Sequence, residues 1–128
     1  MKEKNAFPLD KAWEKAVSIQ QEAREEGFDW PDVNGVLDKI SEEVEEIRCE
    51  LERGDARCIS EEYGDLLFSV VKLSRYIPLD AVSCLSLTNE KFKARFRSIC
   101  SKALKQGIPF SGLSLKEMSR LWEEAKTK

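Results

Sequence analysis

The segment VNGVLDKISEEVEEIRCELERGDARCISEEYGDLLFSVVKLSRYI, residues 33–77, decides the fold. Leu37, Ile40, Val44, Ile47 and Leu51 recur at alternating spacings of three and four, which predicts a helix from about Val33 to Arg53 with a narrow packing seam. RGDAR then reads as a turn, and Ser60 as the N-cap of a third helix running to about Ile77. In that helix Leu66, Leu67, Phe68, Val70, Val71, Leu73 and Ile77 cover well over half the circumference. A helix so apolar has to be buried on several sides, and in a chain this short one cover is a second subunit.

The flanking segments carry the same period and no strand-like alternation. A first helix is expected from about Leu9 to Glu26, with Trp13, Ala16, Val17, Ile19 and Ala23 inward and Gly27 ending it. After GFDWPD, Pro31 and its neighbouring acids suit the start of the second helix. Pro78 breaks the chain, and Asp80 caps a fourth helix to about Lys105, with Leu85, Phe92, Phe96, Ile99 and Ala103 inward. Ser114 and Glu117 form a capping box that opens a short last helix carrying Trp122. No repeat or linker is visible, so residues 1–128 read as one all-α domain: an antiparallel bundle of about four main helices plus a short C-terminal one.

Composition narrows the chemistry. Charged residues make up 35% of the chain, yet the net charge is only −3, so acids and bases are interspersed and a nucleic-acid-binding face is not expected. There is no signal-peptide pattern and no apolar run near the ~18 residues of a membrane span, which leads to the expectation of a cytoplasmic protein without membrane partners. Histidine is absent, and none of Cys49, Cys58, Cys84 and Cys100 stands at CxxC spacing, so a zinc site is not expected. Any metal site would be built from oxygen ligands, which suit Mg²⁺, Mn²⁺ or Ca²⁺. Nucleophile pairs that need an imidazole are excluded.

The acids in the opening segment are the one cluster that could do chemistry. Glu43 and Glu46 lie three apart on one flank of the second helix, and Glu62 and Asp65 three apart on the third, at the border of its apolar face. On antiparallel helices joined by a short turn, the two pairs can face each other. Without a cation such a set is mutually repulsive; a divalent metal reverses the sign. Spacing alone leaves two readings open, a metal site and a solvated acidic face neutralised by Lys39, Arg48 and Arg53. NEKFKARFR, residues 89–97, places Lys91 and Arg95 four apart on one face, suited to a polyphosphate or to ordinary solvated surface. Trp122 suits stacking on a base or anchoring the core, and Phe28 and Trp30 suit lining a pocket or stapling their loop.

Taken in order, GFDWPD, DKISEEVEEI, EEYGDLLF, NEKFKARFR and GLSLKEMSRLWEEAK resemble the blocks of the MazG family of nucleoside triphosphate pyrophosphohydrolases. The resemblance covers about Gly27 to Lys126 and includes that family's EExxE…ExxD signature, here Glu42–Glu46 and Glu62–Asp65. It implies Mg²⁺-dependent hydrolysis of a nucleoside triphosphate to the monophosphate and pyrophosphate, with Mn²⁺ able to substitute, in nucleotide-pool house-cleaning. It also implies a homo-oligomer, most often a dimer. Glu43, Glu46, Glu62 and Asp65 fall on its metal-ligand positions; Lys91 and Arg95 match positions that hold phosphates, and Trp122 an aromatic position near the base. Lys39 falls in the motif as a substrate-side residue, and Glu42 or Glu43 would accept the proton of the attacking water. Two positions depart from common relatives: Lys72 where Asn is frequent and Tyr76 where His is frequent. The competing readings are phosphoribosyl-ATP pyrophosphohydrolase, which shares the carboxylate pairs but is not expected to carry NEKFKARFR, and a non-catalytic nucleotide- or partner-binding helical module.

Overall fold

A computed structural model of the chain describes residues 9–126. They form five α-helices, α1 Leu9–Glu25, α2 Val33–Arg53, α3 Ala56–Ser74, α4 Ala81–Lys105 and α5 Leu115–Lys126, with one 3-10 turn at Phe110–Gly112 and no strand among the described residues. None of these helices is long and apolar enough to cross a membrane. The chain divides into two compact units, the first ending at Pro78 and the second beginning at Leu79.

In the first unit, α2 and α3 form an antiparallel hairpin. Its connection is tighter than the sequence predicts. Gly54 takes the left-handed conformation at the end of α2 (φ 78°) and donates its N–H to the Glu50 carbonyl. Asp55 follows immediately as the N-cap of α3, accepting from the backbone N–H groups of Arg57 at 3.0 Å and Cys58 at 3.1 Å. Ser60, expected as the cap, lies inside α3 and donates its hydroxyl to the Ala56 carbonyl at 2.8 Å. Two good capping residues stood five positions apart, and the one adjoining the left-handed glycine took the role.

The packing face of α2 also differs from the expected seam. Val36 is 1% exposed and Glu43 only 3%, with Ile40, Ile47 and Glu50 half-buried. Leu37, Val44 and Leu51 remain 43%, 40% and 59% exposed. The row 36–40–43–47–50 therefore faces the rest of the unit, and two of its core positions are glutamates. On α1 the inward row is Trp13, Ala16, Gln20 and Ala23, whereas Val17 and Ile19 stay exposed. Gln20 is buried and donates Nε2 to the Phe68 carbonyl at 2.9 Å, which ties α1 to α3. The loop between α1 and α2 is held by the Trp30 ring against Gly35, by an ion pair from Arg75 to Asp29 at 2.8 Å, and by Asp32, which caps α2 through the Asn34 N–H.

In the second unit, Asp80 caps α4 by accepting from the Ser83 N–H at 2.9 Å, as its position predicts. Ser114 accepts from the Glu117 N–H at 3.1 Å at the start of α5. Ile99, Leu121 and Ala125 form a small core, with Phe110, Leu113 and Trp122 packed on it, and Ala103 is fully buried. Leu85, Phe92 and Phe96, expected inward on α4, are 62%, 55% and 40% exposed. Burial on α4 is confined to its C-terminal half, where α5 returns against it.

Candidate active site

The hairpin brings the carboxylates of its two helices together. Glu43 on α2 and Glu62 and Asp65 on α3 each place an oxygen within 4.8 Å of the others. Glu46, one turn beyond Glu43, hydrogen-bonds to Glu62. All four acids that the spacing singled out are thus in or beside one cluster. Glu43 is buried, Glu46 and Glu62 half-buried and Asp65 exposed, so the cluster opens toward solvent on the α3 side.

The electrostatics are those of a crowded acidic site. The hydrogen bond with Glu46, burial, and the nearby Glu43 push the Glu62 carboxyl up to about 7. The crowding of like charges around Glu62 thus favours its protonated form well above the usual carboxylate range. Glu43 is balanced differently. Lys39, one turn back on α2, places Nζ 3.1 Å from Glu43 Oε1 and 3.4 Å from Glu42 Oε1, and these contacts raise the lysine's own proton affinity, Glu43 most of all. Glu42 itself is exposed and stands outside the three-carboxylate group.

Oε2 of Glu43 and Oε2 of Glu62 are buried without a hydrogen-bond partner. Buried carboxylate oxygens carry a large cost unless satisfied. Two such orphans in one cluster of converging acids are what a site for a hard cation presents, so the residues fit a divalent metal. Glu50 also has a buried unpartnered Oε2, its other oxygen lying 3.4 Å from Arg53. Glu50 thus belongs to the inward row of α2 and not to its solvated face.

In the second unit, Arg95 sits over the Trp122 ring at 5.9 Å from its centroid, and Phe92 packs on the same indole at 5.0 Å. Phe96 meets Phe110 edge-on at 5.2 Å. Lys91 is exposed one turn before Arg95 on α4. Trp122 is both a flank of the local core and the wall of a shallow cavity lined by Phe92, Phe96 and Met118, so the two roles open to it in the sequence are not exclusive.

The sequence reading missed a cavity of about 140 Å³ in the first unit, whose lining includes Gln20, Arg24, Phe28, Phe68, Lys72 and Arg75. Its only signals in the sequence were the loop aromatics Phe28 and Trp30 and the uncommon Lys72.

Comparison with known proteins identifies the family. Residues 32–100 match the MazG nucleotide pyrophosphohydrolase domain, a span that holds all four acids together with Lys91 and Arg95. The chain is 40% identical over 119 residues to the Thermotoga maritima protein named nucleoside triphosphate pyrophosphohydrolase/pyrophosphatase MazG, covering 93% of this chain and 46% of that one. It is 35% identical over 114 residues to the Escherichia coli nucleoside triphosphate pyrophosphohydrolase, covering 88% of this chain and 43% of that one. The chain thus spans less than half the length of these curated relatives. The EExxE…ExxD hairpin, built here as a cluster of converging carboxylates, and the match over residues 32–100 together make the chain a member of the MazG nucleotide pyrophosphohydrolase family.

Proposed function

We propose that the chain hydrolyses nucleoside triphosphates to the monophosphate and pyrophosphate, using Mg²⁺ held by Glu43, Glu46, Glu62 and Asp65. The observation that carries this reading is the pair of buried, unpartnered oxygens on Glu43 and Glu62 inside a cluster of three carboxylates within 4.8 Å. The names of the relatives support the reaction class. When bound, the metal supplies charge neutralisation at the phosphates and a water acidified toward neutral pH, and Mn²⁺ suits the same oxygen ligands.

The chain's own residues do the rest. Glu43 is fixed by Lys39 at 3.1 Å and by its burial, so it meets the substrate with little freedom to reorganise. Glu42, exposed beside Lys39, or Glu43 itself accepts the proton of the attacking water. Lys91 and Arg95 carry two positive charges on one face of α4, suited to holding the phosphates and the charge that develops on departing pyrophosphate. Trp122 offers its face to a base, with Arg95 stacked on the same ring.

A homodimer completes the fold in this reading. Leu37, Val44 and Leu51 form a row seven residues apart on the outward side of α2, while Leu67 on α3 and Ile77 just beyond its end are exposed. Nothing among the described residues covers them, and a second copy would bury them. Nucleotide-pool house-cleaning in the cytoplasm is the setting we propose.

The test is product analysis. The purified protein is incubated with standard and altered nucleoside triphosphates and with phosphoribosyl-ATP, in Mg²⁺ or EDTA. Monophosphate plus pyrophosphate, lost in EDTA, supports the proposal. Turnover confined to phosphoribosyl-ATP, or binding without turnover of any nucleotide, would overturn it.

A further inference from the structure

The cavity between α1, α2 and α3 carries more positive charge than its own acid balances. Arg24 of α1, Lys72 of α3 and Arg75 just past the end of α3 line it, against one carboxylate, Asp29. That carboxylate is already paired, accepting from Arg75 at 2.8 Å. Arg24 and Lys72 are both half-buried and have no carboxylate partner among the described residues. The Lys72 ammonium lies over two aromatic rings, 5.8 Å from the Trp30 centroid and 5.6 Å from that of Phe68. Aromatic faces hold an ammonium without using its N–H donors as a carboxylate would.

Both unpaired cations stand in the last turn of their helices, where a positive charge complements the helix dipole. That role is met equally well from solvent and does not require half-burial in a cavity wall. A partly desolvated cation without a counter-charge is a cost, and an anion in the cavity would offset it twice over. The remainder of the wall is mostly apolar. Ile19, Phe28, Val36 and Phe68 line it, and Phe28 leaves a ring 79% exposed at its edge. Gln20, also in the wall, is neutral and tied through Nε2 to the Phe68 carbonyl at 2.9 Å. At about 140 Å³ the cavity is under half the roughly 300 Å³ at which pockets for drug-sized ligands begin, so it holds one ring with its acidic group and not a nucleotide.

We propose that this cavity is a binding site for a small aromatic carboxylate, separate from the nucleotide site. The carboxylate pairs with the Arg24 guanidinium and the Lys72 ammonium, and the ring lies against Phe28 and Phe68. The planar fork of an arginine matches a planar carboxylate. A bare inorganic anion would leave the apolar wall unfilled, and a neutral ring would leave both cations unpaired. Arg75 stays with Asp29 and holds the loop that carries Phe28. Every lining residue belongs to the first unit, so the site takes nothing from α4 or α5.

The test is a ¹H–¹⁵N NMR titration of the whole, metal-free protein with benzoate, benzamide and inorganic phosphate. Benzoate should shift the Trp30 indole and Gln20 side-chain amide signals saturably and leave the Trp122 indole signal in place. Benzamide, the ring without the charge, and inorganic phosphate, the charge without the ring, should each bind at least about tenfold more weakly. Arg24→Met and Lys72→Met should each weaken benzoate by about fivefold or more with an unchanged far-UV circular dichroism spectrum, and Lys72→Arg should retain binding. Equal binding of benzoate and benzamide, phosphate binding as tight as benzoate, shifts confined to Trp122, or no saturable shift would each overturn the proposal. The three wild-type titrations are decisive even where a variant fails to fold. They use neither metal nor nucleotide, so a chain that hydrolyses nothing would leave this proposal standing.

Discussion

Replacing Lys39 by Met would separate the two ways in which this chain can neutralise Glu43. The Glu43 side chain is 4% exposed, and its ionic partner Lys39 stands 3.1 Å away with its own side chain 36% exposed. At that distance and an effective dielectric near 20, the gross attraction is about 5 kcal/mol. Most of it is offset by the hydration both groups give up and by solvent screening at the lysine. Between an exposed pair, worth at most about 1 kcal/mol, and a fully buried one, whose disruption costs about 3–5, a half-exposed lysine facing a buried glutamate falls near 1–2 kcal/mol. For a chain of 128 residues that is a fall of about 4–8 °C in the metal-free Tm. A divalent cation at the cluster would compensate the same carboxylate, so saturating Mg²⁺ should recover at least about half of the loss. Differential scanning calorimetry of wild type and Lys39→Met, in EDTA and in Mg²⁺, measures both numbers. A deficit of the same size with and without Mg²⁺ would refute the claim that metal and lysine compensate the same charge. So would a variant as stable as wild type in EDTA.

Further outcomes follow from the same geometry. Glu62 is held up to about 7 by Glu46, burial and Glu43, above its unfolded value, so the folded chain binds the extra proton. That contribution to stability is full below the unfolded carboxylate range and is lost as pH rises through about 7. Urea midpoints in EDTA should therefore be higher at pH 5.5 than at pH 8, and Glu62→Gln should flatten the difference. Lys91→Met and Arg95→Met should each lower kcat/KM for a nucleoside triphosphate by about tenfold to a hundredfold, while Lys93→Met, exposed between them, should change it little. Asp55→Ala removes the acceptor of the Arg57 and Cys58 N–H groups and should lower Tm by a few degrees, whereas Ser60→Ala should leave Tm nearly unchanged.

What could be read in the sequence, and what could not, divides along physical lines. The extents of α2 and α4 and the caps at Asp80 and Ser114 were legible because they depend on neighbours within a few residues. The convergence of Glu43, Glu62 and Asp65 was legible for the same reason: helical spacing plus a short turn leaves few alternatives. Which face of α2 packs inward was not. A row of Leu37, Val44 and Leu51 reads as a core seam if every apolar residue must find its partner within the chain. Here glutamates occupy inward positions and an apolar row is left exposed. Hydrophobic periodicity identifies a helix reliably, but it does not distinguish the face that packs within a chain from the face that meets another copy. Gln20 and Lys72 were illegible for a different reason. Their significance lies in a cavity shared by three helices, which no spacing along one helix shows.

The central claim, that Glu43, Glu46, Glu62 and Asp65 hold the catalytic cation, is tested most directly by titrating the purified chain with Mn²⁺ and counting free ion by electron paramagnetic resonance. Wild type should bind Mn²⁺ saturably, Mg²⁺ should displace it, and Asp65→Asn should weaken binding by at least about tenfold with its helical circular dichroism intact. Mn²⁺ binding of equal strength in wild type and Asp65→Asn, or no saturable binding at all, would contradict it.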